Sequence, residues 1–125
     1  MKPEVILCFC TGSCPSMANI NVWELANYIR LELPVQYVTV HPMLCAPEDG
    51  HAFLRKILKK DGTYIVLACA PEMEEKLFGK IFEEFGLERG KNWFPVMIKT
   101  LTTEGAIKAI TEEVEKVSNL KNINA

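Results

Sequence analysis

Short unbroken apolar runs alternate with longer segments in which apolar residues return about every three to four positions. Val5-Ile6-Leu7-Cys8-Phe9 reads as a buried strand, and Thr11-Gly12-Ser13 after it as a tight turn. From Asn21 to Leu33, Val22, Leu25, Ala26, Ile29 and Leu33 share one helical face, and Pro34 stops the helix. Val35 to Val40 is rich in β-branched residues and predicts a second strand. Pro47-Glu48-Asp49 opens a helix with Phe53, Leu54, Ile57 and Leu58 as its apolar face, closed by Asp61-Gly62. Tyr64 to Cys69 predicts a third strand. A helix from Pro71-Glu72 follows, carrying Met73, Leu77, Ile81, Phe82 and Phe85, with Gly86 as its cap. Trp93 to Ile98 predicts a fourth strand and Thr103 to Asn119 a fourth helix, with Ile107, Ile110, Val114 and Val117 inside.

Strands alternating with helices predict one α/β domain with a parallel sheet and right-handed crossovers. The expected strand order is 2-1-3-4, as in flavodoxin-like folds, with helices on both faces. The domain is expected to occupy residues 1–120, with the polar tail 121–125 fraying. In such sheets ligands bind beyond the carboxyl ends of the strands.

The full length of 125 residues suits a single core. A net charge of -2 argues against a nucleic-acid binder, which needs a basic stripe. No apolar run reaches the roughly 18 to 20 residues of a membrane helix. The apolar stretch after Met1 is too short for a signal peptide, so the expected compartment is the cytoplasm.

Cysteine changes the picture. The chain has five, Cys8, Cys10, Cys14, Cys45 and Cys69. A cytoplasmic chain rarely carries structural disulfides, and an odd number cannot pair completely. On the predicted elements Cys8 and Cys10 end the first strand, Cys14 follows it, Cys45 follows the second, and Cys69 ends the third. All gather at one edge of the sheet. Grouped thiolates repel unless a cation neutralises them, which points to an iron–sulfur cluster or a zinc site. Cys8 and Cys10 share a side if the strand continues through them. With Cys45 and Cys69 they form a set of four, leaving Cys14 as the spare or fifth ligand. The spacing matches neither zinc ribbons nor ferredoxins, and plain core filling by cysteine stays open beside both metals.

Other residues have simpler roles. His41 and His51 flank the loop holding Cys45 and suit metal ligation, though hydrogen-bonded scaffolding is the plainer reading. Met17, Met43, Met73 and Met97 read as core filler, and Trp23 and Trp93 as packed aromatics. Glu72, Glu74, Glu75, Glu83 and Glu84 read as a solvated helix face, those near Pro71 favouring the helix dipole. A rival chemistry uses Cys10-Thr11-Gly12-Ser13-Cys14-Pro15-Ser16, a polar turn able to cradle an anion, with Cys10 or Cys14 as a redox-active or phosphorylated nucleophile. The loop lacks the Arg that a tyrosine phosphatase of this layout needs for the phosphoryl group.

Cys8-Phe9-Cys10-Thr11-Gly12, Val22 to Tyr28, Cys45, Ala68-Cys69-Ala70-Pro71-Glu72-Met73, Phe78 and Glu84-Phe85-Gly86-Leu87 occur in this order. In that order they resemble the amino-terminal domain of the heterodisulfide reductase A subunit, over about residues 4 to 104. The resemblance implies a [4Fe–4S] electron-transfer module held by Cys8, Cys10, Cys45 and Cys69. It implies an oxidoreductase component, not a complete enzyme, working with flavoprotein or ferredoxin-type subunits. The chain departs from the pattern at Ile98 to Glu104, where the family carries a further Cys and this sequence has none. No G-x-G-x-x-G is present and no length is left for an FAD domain, so the expectation is a free-standing version.

Overall fold

The computed structural model describes residues 2–10, 14–69 and 71–124, with side chains as far as Leu120. The chain runs β1 (Glu4–Cys8), a 3₁₀ turn (Pro15–Met17), α1 (Val22–Glu32), β2 (Val38–His41), α2 (Asp49–Ile57), β3 (Tyr64–Ala68), α3 (Pro71–Glu84), β4 (Trp93–Met97) and α4 (Thr103–Asn124). The strands form one parallel sheet in the order β2-β1-β3-β4, the order read from the sequence. Val5 aligns with Val38 on one side and Ile65 on the other, and Ile65 with Phe94. β1 and β3 are central and wholly buried, which is why their sequences are apolar without alternation. β4 is an edge strand with Pro95 at its middle, opposite Val66.

Alternation of side chains across the sheet divides the core in two. Val5, Leu7, Ile65, Leu67, Phe94 and Val96 meet Leu25 and Ile29 of α1 and Ile110 and Val114 of α4. Ile6, Cys8, Val66, Ala68 and Trp93 meet Leu54 of α2 and Phe78 and Phe82 of α3. The helices thus cover both faces. Each such large apolar side chain removed from water contributes about 1.5–3 kcal/mol before entropy is counted. Phe82 and Trp93 stack with ring centroids 4.5 Å apart.

Local signals explain the ends. The Asn21 side chain accepts from the Glu24 amide at 3.0 Å, capping α1. Gly86, at φ +73°, lets the chain leave α3 while the Leu87 amide donates to Phe82 O at 3.0 Å.

Several expectations need correction. β2 spans Val38–His41, not Val35 to Val40, because the Val35 amide turns back to Leu33 O and the Gln36 amide donates to Pro3 O. β1, β3 and β4 each stop one residue early, at Cys8, Ala68 and Met97. α4 continues past Asn119 to Asn124, a stretch with neither Gly nor Pro to break it. Trp23 is 67% exposed, on the outer side of α1 from Val22, Leu25 and Ile29. Met17 is buried, but Met43, Met73 and Met97 are exposed around the carboxyl edge of the sheet. The turn expected at Thr11-Gly12-Ser13 lies outside the described residues.

Candidate functional site

The carboxyl ends of β1 and β3 and the loop after β2 carry Cys8, Cys10, Cys45 and Cys69. These four residues line one cavity of about 40 Å³, together with Met17, Met43, Ala68, Leu77 and Phe78. The wall is apolar apart from sulfur. Each parallel strand is followed by a helix, so α2 and α3 start at this edge of the sheet.

Cys8 is the anchor. It is buried at the last position of β1, and its sulfur accepts from the Leu44 amide at 3.4 Å. That bond ties the loop carrying Cys45 to β1. Gly50 holds the same loop down, because a β-carbon at this position would overlap the carbonyls of Met43 and Leu44. The two histidines serve the scaffold. The His41 ring packs on Phe53 at 4.9 Å, its Nδ1 accepts from the Met43 amide at 3.0 Å, and its Nε2 lies 3.6 Å from Asp49. His51 Nε2 donates to Leu77 O at 3.1 Å, joining α2 to α3.

Cys10 reaches the cavity by another route than the expected one. β1 ends at Cys8, and Cys10 has a left-handed backbone at φ +51°, so the two are not successive same-side residues of a strand. A non-glycine residue there stores about 1–3 kcal/mol of strain. Cys10 also packs against the α1 and α4 core and hydrogen-bonds with Cys14. Thr100, the other described non-glycine with positive φ, lies at the same edge, its amide donating to Ser16 O at 2.7 Å.

Burial raises the pKa of Cys8, of Cys10 to about 11, and of Cys69, where the Glu74 charge adds to burial. Cys14 goes the other way. Its pKa is lowered, first by the Ser16 amide, then by Cys10, with Lys99 contributing. Cys8, Cys10 and Cys69 therefore stand as neutral, small apolar groups. Among the described residues no three Cys, His, Asp or Glu side chains are gathered closely enough to hold a metal ion. Metal uptake requires these thiols to lose protons and draw together. The donor chemistry fits such a centre, since four soft ligands share one dry cavity.

The residue that sequence reasoning missed is Glu74. It is fully buried, and both carboxylate oxygens lack a hydrogen-bond partner. The reading of a solvated acidic face fails here, while Glu75 and Glu84 do sit outside, paired with Arg89 and Arg55. Burial pushes the Glu74 carboxyl up to about 9, against a small downward pull from Arg89. The signal was its position, one turn before Leu77 and Phe78 on the inward face of α3.

Comparison with protein-family models finds no match for the chain, and comparison with curated proteins finds none either.

Proposed function

We propose that this protein is an electron-transfer module whose cysteine pocket binds an iron–sulfur centre, a [4Fe–4S] cluster held by Cys8, Cys10, Cys45 and Cys69. The observation that carries the reading is the convergence of four thiols, from two strand ends and two loops, on a single apolar cavity at the carboxyl edge. The sequence resemblance to the amino-terminal domain of heterodisulfide reductase A supports the same four. When bound, the cluster supplies one-electron transfer. The chain supplies four thiolates and a low-dielectric wall, both of which set the potential. Its partners are flavoprotein or ferredoxin-type redox subunits. A reducing compartment such as the cytoplasm keeps all five thiols free. No described helix is long and apolar enough to cross a membrane.

The test is the visible spectrum and the iron, sulfide and zinc content of anaerobically purified and reconstituted protein. Brown protein with about four irons per chain, bleached by dithionite, supports the cluster. Colourless protein with about one zinc makes the pocket a structural zinc site instead. Colourless, metal-free protein after reconstitution rejects both.

One observation favours a second reading, a thiol-redox or phosphocysteine domain. Cys14 is partly exposed and its pKa is lowered, as a nucleophile requires. That reading predicts one fast-alkylating thiol in a colourless protein, and equal slow labelling of all five cysteines counts against it.

A further inference from the structure

Cys10 belongs to two places at once. It lines the dry cavity with Cys8, Cys45 and Cys69. It also packs against the core covered by α1 and α4, as Cys14 does, and the two hydrogen-bond with each other. Cys8 and Cys45 pack with the opposite core, under α2 and α3, and Cys8 and Cys69 act on Cys10 through charge. Cys14 is therefore the thiol in contact with Cys10, although it does not line the cavity.

The iron–sulfur reading leaves Cys14 without a task. Core filling does not supply one, because Cys14 is partly exposed. It stands just ahead of the 3₁₀ turn, held by the Met17 amide, which donates to Cys14 O at 3.0 Å. The Ser16 amide donates to its sulfur, and Lys99 brings a positive charge near. Those contacts suit a sulfur that attacks rather than one that packs. Two sulfurs in hydrogen-bond contact need little movement to reach the ~2.0 Å of a disulfide bond.

We propose that Cys10 and Cys14 form a modification site, where a hydroperoxide joins them as a disulfide and so takes Cys10 away from the metal pocket. The disulfide stands on the contact of the two thiols, and its effect on metal binding rests on the iron–sulfur reading of the pocket. The Cys14 sulfur attacks one peroxide oxygen. A sulfur–oxygen bond forms, the oxygen–oxygen bond breaks, and the other oxygen leaves with the thiol proton as water or alcohol. The Cys10 sulfur then attacks the Cys14 sulfur. The disulfide bond forms, the sulfur–oxygen bond breaks, and hydroxide leaves with the Cys10 proton as water. Two electrons pass from the two sulfurs to the peroxide. One cysteine thus serves either the pocket or the disulfide, and a loaded centre protects the pair from oxidation.

The experiment treats the metal-free, reduced full chain with stoichiometric hydrogen peroxide, beside Cys14→Ser. Chymotryptic cleavage after Phe9 and Trp23 puts Cys10 and Cys14 on one peptide and Cys8 on another. Mass spectrometry without reductant is expected to find that peptide short of both thiol hydrogens, and dithiothreitol restores them. Anaerobic titration with cobalt(II) then reads the pocket through the thiolate-to-cobalt absorption. Peroxide-treated wild type is expected to bind cobalt roughly tenfold more weakly or worse, the scale of lost metal-site partners. Cys14→Ser binds as well after peroxide as before, and circular dichroism checks its fold. A peptide that keeps both thiols overturns the proposal, as does a disulfide that pairs Cys10 with Cys8, Cys45 or Cys69. A Cys10–Cys14 disulfide that leaves cobalt binding unchanged overturns the competition for Cys10. A reduced wild type without the cobalt band overturns the metal reading of the pocket alone, and the peptide map still decides the disulfide.

Discussion

The Leu44 amide donates to the Cys8 sulfur at 3.4 Å across 36 positions of sequence, so a candidate ligand of β1 holds in place the loop that presents another. Cys8→Ala removes this acceptor from a fully buried amide and costs about 1–3 kcal/mol in urea unfolding. Cys8→Ser keeps an acceptor and recovers part of that loss. Neither substitution restores iron uptake, because the soft ligand is gone in both. Stability and metal content measured on the two variants separate these roles.

Stability of the metal-free protein falls with rising pH. Glu74 releases its proton near 4.5 when the chain is unfolded and near 9 when folded. Between those values the folded state holds one more proton than the unfolded state. The contribution of Glu74 is thus intact below the lower value and is lost on the way to the upper one, by at most roughly 1.4 kcal/mol per pH unit. Urea titrations at about pH 5 and about pH 8 measure the slope. In Glu74→Gln the slope flattens, and a slope unchanged by that substitution assigns the effect to other groups.

Cys14 is the first thiol to be alkylated in the metal-free protein. Its lowered pKa increases the thiolate fraction, whereas burial holds Cys8, Cys10 and Cys69 as thiols. Limited iodoacetamide labelling followed by peptide mass spectrometry gives the order. Lys99→Ala slows the Cys14 reaction modestly, since its charge is a small contributor.

Gly50→Ala reports on the loop and not on the ligands. The added methyl group collides with the Met43 and Leu44 carbonyls, so the segment before Cys45 must move. The expected result is a folded protein whose metal uptake is impaired although all five cysteines remain. Circular dichroism and iron content check the two halves of that statement.

The two tryptophans give opposite outcomes. Trp93 is stacked on Phe82 and nearly inaccessible, so Trp93→Ala costs about 3–5 kcal/mol. Trp23 is largely in solvent, and Trp23→Ala changes stability by no more than about 0.5 kcal/mol. Chemical denaturation of both variants tests the contrast.

The sheet was legible because its central strands are short, apolar on both faces and separated by helical periodicity. That pattern alone places Cys8, Cys45 and Cys69 at one edge of the sheet. Residues governed by longer-range packing were not legible. The left-handed backbone of Cys10 arises where β1 ends early, which no local propensity of Phe9-Cys10 announces. Trp23 looked like core from its type, yet the inward stripe of α1 passes through Val22 and Leu25 beside it. Glu74 was hidden by a local rule. An acidic residue in a first helical turn has a sufficient explanation in the dipole, and only the alignment with Phe78, Ile81 and Phe82 shows which way it faces.

Pro95 has a consequence for assembly. A parallel sheet with an open edge invites a further strand, and proline at the centre of β4 lacks the amide hydrogen that such a strand would need. Growth of the sheet into a ribbon of stacked copies is blocked on that flank. Association through backbone ladders is thereby discouraged at β4 and is left to the other edge strand, β2.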